Sequence, residues 1–541
     1  MRAAAEARTW RIGLQPTRAL ALGFAAVCFG IFCLLPTCYM LVQSFLDPGG
    51  DLSLHNYRHL LTEPRQRLLL FNSLLLGGGS AVLAAVLGTP LGVLLARVDI
   101  PAKRFVRLAL LVPLVVPPYI LALAWIYVGG SAGLAAMLLG CDLLSDWTYS
   151  TTGAVLVLGL SYYPIVMLAA EFAARGVGAH LEEAALLVAK PGSVFRRITA
   201  PLMAPSIAAA ALLVFVLALA EFGVPGLLRV PVFTTEVFTA FAALYDFGRA
   251  TALALPLLLV TLSAGVAVRL LIGERIIVAS RTVRKGLPLS LGKWRLPAVV
   301  MVGSVLLLAV ALPLVTLVRE SSGAWNAAAP IKESGRAIAN SLLLSVAGAM
   351  IIVAIGMLLG YGMARMRMRA RGAVELISLV SFAVPGTVVA IGLIGLWNRH
   401  GLPGDIYNSM AIVVIAYVAR FLPVAALILA AGVRQISHSA EEAAEVVGAG
   451  WLRIFSRIVV PQLRGGIAAA WVIVFIFSFG ELGATILVAP PGESTLPVRI
   501  YTLLANTTSS QVAALALMQT AIVLAPLILL AMVLNTKGES V

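Results

Sequence analysis

Cysteine and histidine side chains are the first candidates for metal binding or catalysis in this chain. Three of the four cysteines, Cys28, Cys33 and Cys38, lie five residues apart in one apolar run, and Cys141 is distant from them. The sequence has no CxxC pair, and its histidines are not spaced to complete a metal set. We therefore expect apolar core cysteines, no disulfide framework, no metal site and no catalytic residue.

Two glutamate-containing segments, 182–201 and 441–461, are stronger functional candidates, and the chemistry they suggest is docking. They share a Glu-Ala-Ala run, a glycine and a closing proline: Glu183, Ala184, Ala185, Gly192 and Pro201 in the first, and Glu442, Ala443, Ala444, Gly448 and Pro461 in the second. Acidic residues in a first turn favour a short helix, and Leu186, Val446 and Val447 give it an apolar side. We expect each segment to protrude and to fit a groove on a cytoplasmic partner.

The composition indicates what must position these segments. Of 541 residues, 61% are apolar and only 12% are charged, with a mean hydropathy of +1.00. Soluble domains have about 25% charged residues, so a soluble enzyme and a disordered protein are excluded. The net charge of +15 does not indicate nucleic-acid binding, because the basic residues lie in short loops between long apolar runs. This pattern is typical of a membrane protein.

Twelve apolar runs are long enough to cross a bilayer, which requires about 20 residues per helix. We predict spans at 20–45, 72–96, 108–128, 152–171, 204–224, 250–268, 297–318, 340–364, 374–397, 410–432, 466–486 and 512–535. Lys and Arg are concentrated in alternate loops, so we expect both termini in the cytoplasm. The resulting divisions are 1–19, the N-terminus; 20–268, the first half; 269–296, a basic linker; 297–535, the second half; and 536–541, the tail.

An internal repeat relates the two six-helix halves. Landmarks recur in the same order at an offset of 268 and then 260 residues: Asn72 with Asn340, Gly92 with Gly360, Arg97 with Arg365, Pro117 with Pro385, Pro201 with Pro461 and Glu221 with Glu481. Each half begins and ends on the same side, so the repeats are parallel. We therefore predict an all-α membrane protein of twelve transmembrane helices in two parallel six-helix repeats.

A few polar residues within the spans are candidates for a substrate pathway. Arg420 lies in the middle of a span, where a charge costs roughly 2.5–3.5 kcal/mol and requires a cavity or a partner. Glu221 and Glu481 are its candidate counter-charges, and Tyr162, Tyr163 and Tyr417 are candidates for lining the same cavity. The alternatives left open are an Arg–Glu pair that only holds helices together and aromatic residues that only pack. Prolines also break the third span of each half, either for packing or to form a cavity.

The paired glutamate segments resemble the EAA loop of the membrane subunits of ATP-binding-cassette (ABC) importers. In the second half Glu442, Ala443, Ala444, Gly448 and Pro461 match the family pattern. In the first half Glu183, Ala184, Ala185 and Pro201 match, but Ala189 replaces the usual glycine and the loop is one residue shorter. The resemblance implies the type I ABC importer fold, in the bacterial inner membrane.

The resemblance also implies the partners. Two copies of a cytoplasmic ABC ATPase would each dock on one EAA loop, and a periplasmic or extracellular solute-binding protein would deliver the substrate. ATP and Mg²⁺ would be bound by the ATPase, since this chain has no GxxxxGK[ST] motif. The chain itself would hold no cofactor and would bind no nucleic acid.

The fused layout and the stretch 117–125 are most similar to ferric-iron permeases. Thiamine, aminoethylphosphonate and polyamine permeases are the alternatives within the family. A secondary transporter is the alternative from another class, but it would need an acidic or histidine relay within the spans. A membrane enzyme would need clustered histidines or carboxylates at one membrane face, and the sequence has none.

Overall fold

The computed structural model describes residues 16–46, 51–140, 143–272, 292–322, 329–366 and 368–535. In these ranges the regular structure is helical, with one isolated bridge between Leu46 and Leu52. The predicted all-α fold class is confirmed. Expectations about residues 1–15, Cys141, most of the 269–296 linker and the 536–541 tail concern positions outside the described ranges.

Helices follow one another with short connections in both halves. In the first half they are Pro16–Phe29, Gly30–Leu34, Leu35–Ser44, His55–Thr62, Pro64–Arg97, Lys103–Val115, Pro118–Gly129, Leu134–Leu139, Leu143–Thr148, Thr151–Gly176, Ala179–Leu186, Pro191–Val194, Phe195–Thr199, Ala200–Ala220, Gly223–Leu227, Phe233–Ala242 and Phe247–Ile272. In the second half they are Gly292–Trp294, Arg295–Leu306, Leu307–Ala311, Leu312–Ser321, Ala329–Arg365, Met368–Ala383, Gly386–Trp397, Leu402–Tyr407, Ala411–Arg434, His438–Val446, Trp451–Ile454, Phe455–Val459, Val460–Gln462, Arg464–Phe479, Thr485–Val488, Leu496–Leu503 and Ser509–Asn535.

The number of membrane spans agrees with the twelve predicted. Ten helices among the described residues are long and apolar enough to cross a bilayer, and there are up to twelve if each of two bent pairs is one span. The bent pairs are Arg371–Ala383 with Gly386–Trp397, at 94°, and Trp451–Gln462 with Arg464–Phe479, at 75°.

Proline breaks the third span of both halves, as predicted. Pro117 has φ −54° and ψ 135°, and Pro385 has φ −56° and ψ 143°, so both are extended rather than helical. Each is followed directly by a new helix, Pro118–Gly129 or Gly386–Trp397. The two breaks bring irregular backbone to the centre of the bundle, where protein rather than lipid surrounds it.

Prolines also cause four π turns. Gly30–Leu34, Phe195–Thr199, Leu307–Ala311 and Phe455–Val459 each end two residues before a proline. A wider turn relieves the clash of the proline ring with a preceding carbonyl without ending the helix. The fifth span of the first half starts earlier than the predicted 204–224, because the helix is continuous through Pro201, from Pro191 to Ala220.

Glycines let the long second span of each half contact the fourth span closely. A Cβ on Gly88 would lie 2.6 Å from the Tyr163 carbonyl, and one on Gly360 would lie 2.8 Å from the Ala426 carbonyl. Small residues at such crossings allow helices to pack backbone to backbone in a membrane.

The first span of each half packs against the opposite half. Phe32 stacks on Trp397, and the Cys33 thiol donates a hydrogen bond to the Val418 carbonyl at 3.7 Å. Reciprocally, the helix Leu312–Ser321 contacts Pro118–Gly129. This exchange ties the two halves into one bundle.

Candidate functional site

The two EAA segments form similar stubs beyond the ends of the fourth spans. In the first half Ala179–Leu186 is followed by Pro191–Val194, and in the second His438–Val446 is followed by Trp451–Ile454. Each stub is a helix, a turn and a second helix that leads into the fifth span, without a break in the first half and through the 75° bend in the second. The predicted short helices are therefore present in both halves.

A buried ion pair anchors the first stub to the second span. Arg97 donates two hydrogen bonds to the Glu182 carboxylate, at 2.8 and 3.2 Å, and both side chains are less than one-tenth exposed. The Thr199 hydroxyl donates to the same carboxylate at 2.7 Å. Since Arg97 ends the helix Pro64–Arg97, these contacts connect the stub to the membrane core.

The second stub has an equivalent anchor with one different member. Arg365, the last residue of Ala329–Arg365, pairs with Glu441, and both side chains are less than one-tenth exposed. Here the third contact comes from the Tyr361 hydroxyl, which donates to Glu441 at 2.9 Å. A carboxylate that accepts two or more hydrogen bonds, as Glu182 and Glu441 do, is held in a fixed orientation.

Sequence reasoning missed these anchors. We selected Glu183 and Glu442, but both are exposed, while the preceding Glu182 and Glu441 are buried. The signal was available, because both segments have a doubled glutamate and the repeat pairs Arg97 with Arg365. No sequence pattern indicated Thr199 or Tyr361.

The turn of each stub exposes apolar side chains. Leu187 and Val188 are 86% and 88% exposed in the first stub, and Val446 and Val447 are 82% and 81% exposed in the second. Beside them lie the predicted residues Glu183, Ala184 and Glu442, Ala443, which are exposed, and Ala185 and Ala444, which are partly exposed. Exposed apolar residues rimmed by acidic ones are typical of a protein-binding surface.

The two predicted glycines differ in the conformation they adopt. Gly448 has φ +81°, which an L side chain rarely adopts, and it closes the helix His438–Val446. Gly192 lies within the helix Pro191–Val194, and no atom lies within 4 Å of where its Cβ would be. The shorter first turn is thus made without a left-handed residue, which explains why Ala189 is tolerated there.

Most of the predicted pathway residues meet in a cavity of about 140 Å³ between the halves. Both halves contribute walls from the third-span breaks and from the fourth and fifth spans: among them Val116, Pro117, Tyr119, Tyr162, Glu221, Phe382, Arg420, Phe421, Gly480 and Glu481. A pocket shared by two repeats near the middle of the bundle is where a transported substrate is expected to pass.

Arg420 pairs with Glu481 in this cavity. Its Nη1 lies 2.6 Å from Glu481 Oε1, and the glutamate side chain is 2% exposed. Glu481 also accepts hydrogen bonds from the Ala484 and Thr485 amides, at 2.9 and 2.8 Å, and from the Thr485 hydroxyl at 2.6 Å. Gly386 makes room for the pair, since a Cβ there would collide with the arginine.

Tyr163 and Tyr417 lie outside the cavity lining. Tyr163 is fully buried and donates to the Leu110 carbonyl at 2.8 Å, so it holds the fourth span against the third. Tyr417 is 1% exposed and contacts Gly348 of the second span. The predicted pathway role does not fit either position, whereas the neighbouring Tyr162 does line the cavity. Consecutive residues of a helix lie on different faces, so of the three tyrosines predicted for the cavity only Tyr162 lines it.

Metal-binding clusters are not seen in the part of the chain that the structure describes, where no three His, Cys, Asp or Glu side chains could hold an ion together. Cys28 and Cys33 are buried and unpaired in that part, and Cys38 is exposed.

Known proteins match this chain in both halves. Residues 88–274 and 352–537 match the family described as binding-protein-dependent transport system inner membrane component. The chain is 26% identical to an Fe(3+)-transport system permease protein of Haemophilus influenzae over 494 residues, 88% of this chain and 90% of that protein. It is 25% identical to a putative ferric transport system permease protein of the same species over 504 residues, 87% of this chain and 77% of the relative.

A shorter stretch of the chain matches the permease of a different transport system. A molybdenum transport system permease protein of Mycobacterium tuberculosis is 36% identical over 165 residues, 30% of this chain and 62% of the relative. The two family matches together cover more than half of the chain, one in each half, and they enclose both stubs and the cavity. The chain therefore belongs to the family of binding-protein-dependent transport system inner membrane components, as a multi-pass membrane permease.

Proposed function

We propose that this permease is driven by two copies of a cytoplasmic ATPase, each docked on one stub. The observation that carries the proposal is the pair of exposed apolar turns, Leu187-Val188 and Val446-Val447, each on a helix with a buried ionic anchor. Valine and leucine side chains left more than four-fifths exposed outside the spans favour a groove that covers them.

The anchors explain how movement of an ATPase would reach the cavity. Pushing a stub moves Glu182 or Glu441 together with Arg97 or Arg365, at the end of the second span. The second span contacts the fourth span backbone to backbone, and the fourth span carries Tyr162 or Arg420 into the cavity. Rigid packing of this kind transmits displacement rather than absorbing it.

The remaining parts of the proposal follow the usual division of labour in the family. ATP and Mg²⁺ are bound and used on the ATPase, and this chain contributes neither an ATP site nor a cofactor. A solute-binding protein delivers the cargo on the side opposite the stubs, and both termini lie on the cytoplasmic side with the stubs.

Ferric iron is the proposed cargo. The matches that extend over 84–88% of this chain are to ferric or Fe(3+) transport permeases. The matches to molybdenum and putrescine permeases extend over 30% and 22% of the chain. Because cargo recognition involves both halves of the cavity, the relatives that cover both halves are the better guide.

A reconstituted complex tests the coupling. Val446→Ser with Val447→Ser should leave the chain folded in the membrane, because both side chains are exposed, but should weaken ATPase binding and abolish ATP-driven uptake. Glu442→Ala is expected to weaken coupling at the same surface. The matched control is Leu402→Ser, which is 72% exposed in the loop between the third and fourth spans of the second half.

Two outcomes would contradict the proposal. One is unchanged ATPase binding by the Val446 and Val447 variant. The other is uptake by the unaided permease that continues without nucleotide hydrolysis and stops when the proton gradient is collapsed, which would identify a secondary transporter.

A further inference from the structure

Glu221 and Glu481 occupy equivalent positions in the repeat, but the donors around them differ. Glu481 is fully bonded: Arg420, the Ala484 amide and both the amide and hydroxyl of Thr485 donate to it. At the same offset of 260 residues, Val224 replaces Ala484 and Pro225 replaces Thr485. Proline has neither an N–H nor a hydroxyl, so two donors are lost.

The cation is lost as well. Aligning Pro164 with Pro423 in the fourth spans places Ser161 where the second half has Arg420, and the Ser161 hydroxyl already donates to the Val157 carbonyl at 2.9 Å. Among the described residues, no Lys, Arg or His nitrogen forms an ion pair with Glu221 within 4.0 Å. The first half thus keeps the carboxylate of the repeat without an arginine of its own in contact with it, and the nearest cation is Arg420 of the second half, which acts on Glu221 without pairing with it.

The contacts of Glu221 include fewer strong donors than those of Glu481. Glu221 Oε1 accepts from the Gly223 amide at 2.9 Å, the Val224 amide also donates to the carboxylate, and Oε2 has the Tyr162 hydroxyl at 3.4 Å, a long hydrogen bond. Tyr162 is itself specific to the first half, since Phe421 is its counterpart. Both Glu221 and Tyr162 line the cavity and are partly exposed.

The charges of the cavity therefore favour a cation. With both glutamates ionised, the cavity lining carries two negative charges and the single positive charge of Arg420, which pairs with Glu481 and also acts on Glu221. Carboxylate and phenol oxygens are hard donors, which suit hard, highly charged metal ions. A permeant ion must also leave again, so a site with two oxygen donors is better suited to transport than a complete coordination shell.

We propose that Glu221, with Tyr162 beside it, is the point at which a trivalent iron cation contacts the permease during passage through the cavity. This inference rests on the proposed function, because it takes ferric iron as the cargo. It adds a residue-level specificity determinant that lies in the first half only.

Parallel measurement of uptake and hydrolysis tests the inference. The full chain, its ATPase and its binding protein are reconstituted in vesicles, and radiolabelled ferric iron and ATP hydrolysis are followed together. Glu221→Gln should reduce the iron taken up per ATP by about tenfold or more, since it removes a contact to a charged group. Tyr162→Phe should reduce it about threefold, and Glu221→Asp should retain part of the wild-type ratio.

The neighbouring tyrosine provides the matched control. Tyr163→Phe removes a phenol one residue away that faces the third span, so it should leave iron taken up per ATP unchanged. Gallium(III), which has the same charge and is not readily reduced, should compete with iron in the wild type and less strongly in Glu221→Gln.

Each failure has a distinct meaning. A wild-type ratio of iron to ATP in Glu221→Gln overturns the inference and leaves the proposed function intact. Absence of ATP-driven iron uptake in the wild-type complex overturns the proposed function. If Glu221→Gln does not reach the membrane, wild-type ratios in both Glu221→Asp and Tyr162→Phe overturn the inference.

Discussion

The two halves have the same arrangement of helices, but the donors around their equivalent glutamates, Glu221 and Glu481, differ. In the second half, Arg420, Thr485 and the Ala484 amide satisfy Glu481 completely. In the first half, Ser161 and Pro225 stand at the positions of Arg420 and Thr485, and Glu221 faces the cavity with a long contact from Tyr162. The comparison shows that the repeat determines the arrangement of helices, while differences at a few positions make the cavity asymmetric.

At the stubs the halves differ much less. Both bury a glutamate against the last arginine of the second span, and both expose two apolar residues at the turn. Two identical ATPase copies would require two similar docking surfaces, whereas a single asymmetric cargo would not require a symmetric cavity. Symmetry is thus retained where the proposed partner is duplicated and lost where the proposed cargo is single.

The largest effect is expected from breaking a stub anchor. Arg365→Met should destabilise the permease by about 3–5 kcal/mol, because it leaves Glu441 buried with only neutral donors. Arg97→Met should have a similar cost in the first half, since Glu182 is equally buried. Unfolding by denaturant in detergent micelles measures both values.

The double variant Arg365→Met with Glu441→Gln is the control for this prediction. It removes both charges and should recover most of the lost stability. If the single variant is as stable as the double variant, the anchor has no ionic contribution.

A smaller effect is expected at the cavity, where the halves are compared directly. Arg420→Met should cost about 2–3 kcal/mol, because Glu481 keeps its backbone and hydroxyl donors but loses its cation. Ser161→Ala, at the equivalent position, should cost less than about 1 kcal/mol, since it removes only a hydrogen bond within one helix. Thermal unfolding of the purified variants checks the difference, and equal costs would show that the asymmetry has no energetic consequence.

The glycines of the stubs should differ by a smaller amount. Gly448→Ala should destabilise by about 1–2 kcal/mol, because its φ of +81° is unfavourable for any residue with a Cβ. Gly192→Ala should be neutral or slightly stabilising, since the position is helical and open. ATPase binding and unfolding of both variants test this, and a loss of binding in Gly192→Ala alone would contradict it.

An effect similar to that at Gly448 is expected from the third member of each anchor. Tyr361→Phe and Thr199→Val each remove one hydroxyl that donates to a buried carboxylate, at 2.9 and 2.7 Å. Each should cost about 1–2 kcal/mol, with the arginine contact intact. A cost above that of the arginine variants would reverse the assignment of the main anchor.

Hydrophobic runs and prolines were sufficient to predict most of the architecture. A span is specified by about 20 consecutive apolar residues, and Pro117 and Pro385 cannot continue a helical hydrogen-bond ladder. The continuous helix through Pro201 was not predictable in this way, because the π turn Phe195–Thr199 accommodates the proline ring without ending the helix.

Side-chain partners were harder to predict than elements. Glu182 rather than Glu183 is buried because one residue rotates a helix by about 100°, and a one-residue difference decides which glutamate meets Arg97. For the same reason Tyr162 lines the cavity and Tyr163, which was predicted with it, does not. In contrast, Arg420 was identified as needing a partner from its depth alone, and one of its two candidate partners, Glu481, is its partner.

The sequence by itself determined the membrane class, the twelve spans, the parallel repeat and the two stubs, because bilayer thickness, charge in loops and repeated motifs are one-dimensional signals. Only the tertiary structure decided which glutamate of each pair is buried, which tyrosine faces the cavity and that Glu221 lacks the donors of Glu481. The burial of one glutamate in each stub and the pairing of Arg420 depend on contacts between residues 60 or more positions apart, such as Arg97 with Glu182 and Arg420 with Glu481, and a local pattern contains no information on such contacts.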